Sequence, residues 1–328
     1  MEKVWNIRQP DQRHVRRVCR RLQCHPATAA VLVNRGLEAE AEAERFLNPS
    51  LKDIATLFSL QDLDKAAARI AQAIENRETI MVFGDYDVDG ITATTIVYRF
   101  LADAGASVCF HIPHRIDEGY GLRADHITHT AAKAGTGLLI TVDCGSASHD
   151  AVALANQTGI DVIITDHHDI DDLPPAYAVV NPKRRHCTAD LAHLAGVGVA
   201  FALLMYLRSH LRENGFFRNQ AEPNLKEFCD LVALGTVADI VPLIRENRVL
   251  TRVGLDMLNA APRPGIQALI RASGIQKPFL EAEDLAFRLC PRLNAAGRMD
   301  HANLAVQLLT TADHEEAQSL ADAVNKLN

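Results

Sequence analysis

Aromatic residues make up only 5% of this 328-residue chain, with a single tryptophan. Surfaces that grip single strands stack bases on aromatic rings, so little material is present for an extended stacking platform. A positive balance is also missing: 34 Lys and Arg stand against 41 Asp and Glu, a formal charge of −7. That argues against a simple basic nucleic-acid binder. It leaves open an acidic site whose negative charge is offset by bound cations. No apolar stretch reaches the roughly 20 residues of a membrane span, and the N-terminus, MEKVWNIRQPDQRHVRR, has no apolar signal-peptide core. The seven cysteines, Cys19, Cys24, Cys109, Cys144, Cys187, Cys229 and Cys290, are odd in number and form no CxxC pair. Reduced thiols fit that pattern better than disulfides or structural zinc. These absences lead to the expectation of a soluble, cytoplasmic protein.

What is present begins with a core. Hydrophobic residues make up 48% of the chain, which suits a globular protein, and the length allows one large domain or two. The chain is organised around Thr79–Thr95, read TIMVFGDYDVDGITATT. The apolar run Ile80–Phe83 ends at Gly84. Aspartates follow at alternate positions, Asp85, Asp87 and Asp89, before Gly90 and a helix-like pattern. Carboxylates this close repel one another, and folding them together is costly unless a cation compensates. Hard divalent cations such as Mg²⁺ and Mn²⁺ prefer carboxylate oxygens. For an isolated DxDxD, an acidic surface turn is the plainer reading. A triplet where a strand meets a helix stands where α/β active sites are found. An EF-hand loop also begins D-x-D-x-D-G but needs Glu at its twelfth position, where this chain has Ile96. A phosphatase with an aspartate nucleophile stays open on this stretch alone.

Up to about residue 55 the pattern is helical, with Ala27–Val33 and Glu38–Phe46 rich in helix formers and Asn48-Pro49 ending the second. Leu63–Ile74 carries an amphipathic stripe of Leu63, Ala66, Ala67, Ile70 and Ile74. A β/α alternation follows: strands over Ile80–Phe83, Val108–Ile112, Leu138–Val142, Val162–Thr165 and Ala178–Val180, and helices over Ile91–Ala104, Arg123–Ala134 and Ala147–Gln157. Such alternation predicts an α/β fold, a mainly parallel sheet with helices on both faces. Beyond it the chain reads as helical: Val199–Leu211, Leu225–Val237, Val249–Ala260, Ile266–Ala272, Asn303–Leu309 and Glu315–Leu327. The expected division is a helical region over 1–55, a catalytic domain over 56–245 and a helical connecting region over 246–328.

In a parallel sheet, ligands bind beyond the carboxyl ends of the strands. Three acidic clusters fall there: Asp85, Asp87 and Asp89 after the first strand, Asp143 after the third, and Asp166, His167 and His168 after the fourth. If those strands are near neighbours, one crevice gathers them. Asp239 interrupts an apolar run, and a carboxylate there needs a partner; backbone N–H groups or a metal would each serve. Cys144, beside Asp143, reads as a small buried residue rather than a nucleophile. The arginines Arg13, Arg16, Arg17, Arg20 and Arg21 form either a phosphate contact or a solvated helix face. In the segment Pro291-Arg292-Leu293-Asn294-Ala295-Ala296-Gly297-Arg298, two arginines and an asparagine could hold phosphate oxygens; ordinary loop arginines are the plainer reading.

The segments GDYDVDG, TVDCG, TDHH, LAGVGVAF, LVALGTVADIVPL and PRLNAAGRM occur in that order. Together they resemble the DHH phosphoesterase superfamily, and within it the RecJ-type single-strand-specific exonucleases. The resemblance runs from about Leu47 onward. It implies a fold of the DHH type and a site around two divalent cations, Mn²⁺ or Mg²⁺. It matches Asp85, Asp87, Asp89, Asp143, His167 and Asp239 to metal ligands, with Asp143 as the bridge. His168 would face the scissile phosphate. Arg298, Asn294 and Arg292 would hold the substrate backbone, and Arg115 and Tyr120, in RIDEGYGL, would contact substrate at the mouth of the site.

The chemistry implied is metal-assisted phosphodiester hydrolysis without a covalent enzyme intermediate. The expected activity is a single-stranded-DNA exonuclease, 5′ to 3′, releasing mononucleotides in DNA repair and recombination. Single-stranded DNA would be the partner, with a single-strand-binding protein or a helicase beside it, and no membrane. Two alternatives belong to other classes: a DHH-type replication-associated binding module that has lost catalysis, and a phosphodiesterase for short oligonucleotides or a cyclic dinucleotide. The family continues into DHHA1-type and OB-like domains that lie beyond these 328 residues. With few aromatics and negative charge, the residues present predict a weak, non-processive grip.

Overall fold

A computed structural model describes residue 4 and residues 6–260, 262–298 and 302–328. The chain divides into two compact units, Met1–Ile54 and Ala55–Asn328.

The first unit holds α1 (Gln12–Leu22), α2 (Pro26–Asn34) and α3 (Glu40–Leu47) around Val15, Val18, Ala29, Leu32, Val33 and Ala43. Asp11 caps α1, and Pro26 opens α2, where its missing N–H removes no helical bond. The basic face of α1 is partly answered by acids of α3: Arg17 pairs with Glu40 and Arg21 with Glu44, each at 3.1 Å.

The second unit is built on a five-stranded sheet, β1 (Thr79–Gly84), β2 (Val108–His111), β3 (Thr136–Val142), β4 (Asp161–Thr165) and β5 (Ala178–Val180). The order is β2-β1-β3-β4-β5, with every pair parallel, as the alternation predicts. The strand order reverses direction between β1 and β3, where such sheets open a crevice. Strands buried on both faces read as continuous apolar runs, which is why TIMVF and LLITV show no alternation. Met81, Phe83, Leu139, Val162 and Ile164 face a core completed by Ile127 and Ala131 of residues 124–133 and by Ala151, Val152 and Ala155 of α6 (His149–Gln157). Ile80, Val82, Leu138, Ile140 and Ile163 are fully buried on the other face. That face is covered by α4 (Leu63–Glu75), α5 (Val88–Asp103) and α7 (Gly196–Glu213). Further helices follow, α8 (Cys229–Ala238), α9 (Arg245–Ala260) and α10 (Pro264–Ala272), and then Cys290–Arg298, Ala302–Thr310 and His314–Lys326.

The register sets up the chemistry. Gly84 pairs with Val142, and Val142 with Thr165. The next residue of each strand is therefore Asp85, Asp143 and Asp166, side by side along one edge.

Several helices begin earlier than their apolar periodicity does. α5 starts at Val88, not Ile91, because Asp87 is its N-cap and accepts from Gly90 N at 3.0 Å. Likewise α7 opens at Gly196 rather than Val199, and α9 at Arg245 rather than Val249. The segment from Pro291 to Arg298, read from sequence as a loop, is helical. A wider π turn over Leu285–Leu289 runs straight into it, beside the donor that Pro291 lacks. Among the described residues no helix is long and apolar enough to cross a membrane.

Candidate metal centre

Each carboxylate of the first cluster has a different backbone partner. Asp85 follows β1 directly and accepts from Tyr86 N at 2.8 Å. Burial and then the neighbouring Asp87 push its pKa up to about 7. Asp87 caps α5. Asp89 lies in the first turn of α5 and reaches across to the opening of α7: its Oδ2 accepts from Gly196 N at 2.6 Å and its Oδ1 from Val197 N at 2.9 Å. Even with these two donors, burial, and then Asp239, holds the Asp89 carboxyl well above the usual carboxylate range.

Asp143 follows β3 with φ +58, in the left-handed region that a Cβ disfavours. Strain of this kind persists where surrounding structure enforces it, often at functional sites. The enforcement is visible: Asp143 N donates to Thr165 O at 2.9 Å. On the other side, a Cβ on Gly196 would fall 2.2 Å from Asp143 Oδ1. Oδ1 is buried and has no hydrogen-bond partner, and neither has Oδ2 of Asp239, the C-cap residue of α8. Burial, then Asp89, raises Asp143 well above its ordinary value, while burial and then Asp87 raise Asp239 to about 6.

His167 joins the groups. Its Nδ1 faces Leu194 O at 3.0 Å, which assigns the ring proton to Nδ1. Nε2 is then a bare lone pair, 3.2 Å from Asp143 Oδ1 and 3.9 Å from Asp89 Oδ2. Burial lowers the His167 pKa, which keeps the ring neutral. Two nests result, joined by a third group. Ligand atoms of Asp85, Asp87 and Asp143 lie within 4.8 Å of one another, as do those of Asp89, His167 and Asp239, and those of Asp143, His167 and His168; in the last group His168 Nδ1 is committed to Asp166 Oδ1 at 2.8 Å. Carboxylate oxygens and a neutral imidazole, two of those oxygens buried without partners, are the donor set that Mn²⁺ or Mg²⁺ takes, so these residues fit divalent cations.

Residues 79–236 match the DHH family, N-terminal domain. Over 325 residues the chain is 40% identical to the single-stranded-DNA-specific exonuclease RecJ of Bacillus subtilis (strain 168), covering 99% of this chain and 40% of that protein. The RecJ of Escherichia coli (strain K12) is 42% identical over 308 residues, 92% of this chain and 52% of its own length. The crystal structure of RecJ in complex with Mn²⁺ from Thermus thermophilus superposes with a TM-score of 0.81 at 33% identity, over 98% of this chain and 44% of that one. Residues 79–236 of this chain belong to the DHH family. It spans about half the length of the curated relatives it matches.

Within this DHH site, Asp166 differs from its neighbours. Oδ1 accepts from His167 N at 2.7 Å, His168 N at 3.1 Å and His168 Nδ1 at 2.8 Å, and Oδ2 accepts from Ser146 N at 2.9 Å. Burial would raise its pKa, but the bonds from His168 and Ser146 outweigh burial and hold it at about 2. Asp166 is saturated, a support and not a cation cradle. It raises the pKa of His168 and fixes the proton on Nδ1. Asn181 adds a second support, donating to Ser146 Oγ and to His168 O, each at 2.9 Å. Ser146 and Asn181 escaped the sequence reading, because a polar residue beside a motif carries no periodic signal.

At the mouth, Tyr120 is half exposed, with its hydroxyl 3.4 Å from both ring nitrogens of His168. Burial, then Asp85, raises the Tyr120 pKa, so the phenol keeps its proton. Arg115 lies over the Tyr86 ring at 5.2 Å, and the Tyr86 and Tyr120 rings meet edge to face at 6.3 Å. Tyr86, hidden between two aspartates, was another residue missed from sequence. Helix Cys290–Arg298 comes very close to it: a Cβ on Gly297 would fall 1.7 Å from Tyr86 O. Asn294 is half-buried on that helix. Arg292 gives Nε to Asn325 Oδ1 at 2.7 Å and Nη1 to Arg288 O at 2.6 Å, and neither partner belongs to the carboxylate cluster. Arg298 ends the helix; its side chain lies outside the described residues.

His111, Glu118 and His126 also bring three ligand atoms together. Arg123 N donates to His126 Nδ1 at 3.0 Å, so the proton of that ring is on Nε2, donated to Glu118 Oε2 at 3.0 Å. A metal-ligating histidine needs the opposite arrangement. The group is a carboxylate latch on the segment that carries Arg115 and Tyr120.

Proposed function

We propose that this chain carries the two-metal phosphodiesterase centre of a RecJ-type single-stranded-DNA exonuclease, working 5′ to 3′, releasing mononucleotides, and serving DNA repair and recombination. The observation that carries the reading is the pair Asp143 Oδ1 and His167 Nε2, 3.2 Å apart with the ring proton committed to Leu194 O. Asp85, Asp87 and Asp143 would hold one divalent cation. Asp89, His167, Asp239 and the shared Asp143 would hold the other. When bound, the pair supplies Lewis acidity at the phosphate and acidifies water.

The remaining groups bind and orient. His168, its Nδ1–H held by Asp166 and its pKa raised, turns the other edge of its ring toward solvent and supplies positive charge to a phosphate oxygen. Tyr120 donates its hydroxyl beside it, and Arg115, stacked on Tyr86, meets the next phosphate. Asn294 and Arg298 take the substrate-backbone role that the family resemblance gives them. Arg292 braces the last helix instead, through Asn325. The retained set of carboxylates and His167 favours an enzyme over a binding module. A cytoplasmic setting, with a single-strand-binding protein or helicase presenting the strand, fits this reading.

The test is hydrolysis of end-labelled single- and double-stranded DNA with Mn²⁺, with Mg²⁺ or with chelator. Label should leave single strands from the 5′ end, chelator should abolish it, and either cation should restore it. Full activity in excess chelator would sink the reading.

A further inference from the structure

Three features of one nest trace back to a single buried pair at the start of α9. Leu194 O receives the His167 Nδ1 proton. Gly196 N and Val197 N hold the two oxygens of Asp89. Asp239 leads, through Ile240 in the left-handed region at φ +61, into Pro242. These supports lie in two segments, His193–Val197 and Asp239–Pro242, and Asn247 ties them together. Its Nδ2 donates to His193 O at 2.6 Å and to Pro242 O at 3.1 Å. Glu246 grips the same histidine at its other end, Oε2 accepting from His193 Nε2 at 2.8 Å, while Oε1 accepts from Thr56 Oγ1.

We propose that Glu246 and Asn247 are positioning residues for the Asp89–His167–Asp239 nest: they set the tautomer of His167 and the placement of both carboxylates by clamping the two segments that hold them. The inference rests on the two-metal reading and deepens it. Burial of the pair is costly on its own terms. Asn247 is fully buried and Glu246 is 2% exposed. The orientation that satisfies both carbonyls leaves Asn247 Oδ1 buried without a partner, a penalty that a mere spacer would not retain. The other nest does not depend on this pair in the same way. Asp85 is held by its own loop and Asp143 by Thr165 O. The clamp therefore acts directly on one cation position and reaches the other only through Gly196, which packs against the shared Asp143.

The experiment is a Mn²⁺ titration of the full chain by calorimetry, with electron paramagnetic resonance to count bound ions. Wild type, Asn247→Asp, Glu246→Gln and Val324→Ala are compared. Asn247→Asp is isosteric but turns an acceptor toward two carbonyls. Val324, fully buried in the last helix, supplies a destabilised control remote from the loops. Wild type binding no Mn²⁺ would end the two-metal reading whatever the variants do. With two ions bound by wild type, Asn247→Asp should weaken one of them about 10–100-fold and leave the other within about twofold, as loss of an outer support does. Glu246→Gln should do the same more mildly. Lost activity should return at raised Mn²⁺ with KM for the oligonucleotide unchanged. Equal weakening at both positions, matched by Val324→Ala, would make the pair merely structural and overturn the inference. Unchanged binding at both positions would do so as well. If Asn247→Asp does not fold, Glu246→Gln decides by the same criteria.

Discussion

Asp143 Oδ1 lies 3.2 Å from His167 Nε2, lone pair against lone pair. Such a contact closes only around a proton or a cation, so the two compete. The same competition extends to Asp85, raised to about 7 by burial and Asp87, and to Asp239, raised to about 6 by burial and Asp87. A carboxyl raised above its ordinary value keeps its proton in the folded state where the unfolded chain has lost it. Without cation, folding stability should therefore fall as pH rises from about 4 toward 7. A cation must displace those protons, so Mn²⁺ affinity should climb from about pH 5.5 to 7.5 and then level off. Calorimetry at several pH values reads this directly; an affinity flat across that range would mean that the carboxylates are already ionised.

Asp143→Asn separates charge from shape. The amide cannot serve two cations, and hydrolysis should drop about 10³-fold, roughly 4 kcal/mol of lost transition-state stabilisation. The fold should not suffer, because the substitution removes a buried charge crowded by Asp89 and Asp87. In chelator at about pH 8 the variant should melt no lower than wild type, since an unpaired buried charge is a stability cost. Near wild-type hydrolysis would show that Asp143 does not bridge.

The crevice was legible in the sequence for a geometric reason. Strand ends in a parallel sheet share one edge, so apolar runs ending in Asp85, Asp143 and Asp166 declare where those residues go. Asp239 was legible only as an oddity, a carboxylate in an apolar run, because its place depends on how α8 packs on α5. What sequence could not reveal is which carboxylates are satisfied. Asp85 and Asp166 both follow strands, yet one is raised to about 7 and the other held at about 2. The difference lies in donors supplied by His168 and Ser146, set by tertiary contact. The start of α9 was missed for a related reason: Glu246 and Asn247 are polar residues ahead of the apolar pattern that begins at Val249, and only the loops folded over them make them buried.

His168→Ala tests the division of labour between adjacent histidines. His168 has its Nδ1 committed to Asp166 and is half exposed, whereas His167 is buried against Asp143. Removing His168 should leave two Mn²⁺ bound and lower kcat about 10²–10³-fold, the range for a positioned charge or proton donor. A lost ion in the titration would instead make His168 a ligand. His167→Ala should show the reverse order of effects, with binding failing first.

The carboxylate of Glu118 gathers donors from three sides: His111 Nε2 at 2.9 Å, His126 Nε2 at 3.0 Å and His114 N at 2.8 Å. Burial would raise its pKa, but the bonds from His114 N–H and His111 outweigh burial and lower it. A depressed carboxyl stabilises above its unfolded value of about 4.3 and loses that contribution as pH falls through the folded value, so at neutral pH the latch is closed. What it fastens is the segment between His114 and His126, which presents Arg115 over Tyr86 and Tyr120 beside His168. Glu118→Gln puts an amide N–H against imidazole N–H donors and breaks at least one of the three bonds. We expect stability to fall by about 1–2 kcal/mol. The more telling expectation is kinetic: substrate groups held less firmly bind ground state and transition state alike less well, so KM should rise several-fold with kcat nearly unchanged. Mn²⁺ stoichiometry should stay at the wild-type value, because no residue of the latch belongs to either nest. Steady-state kinetics on a single-stranded oligonucleotide beside a Mn²⁺ titration decides the matter. A variant that melts earlier but keeps its KM would show that Arg115 and Tyr120 do not meet the substrate.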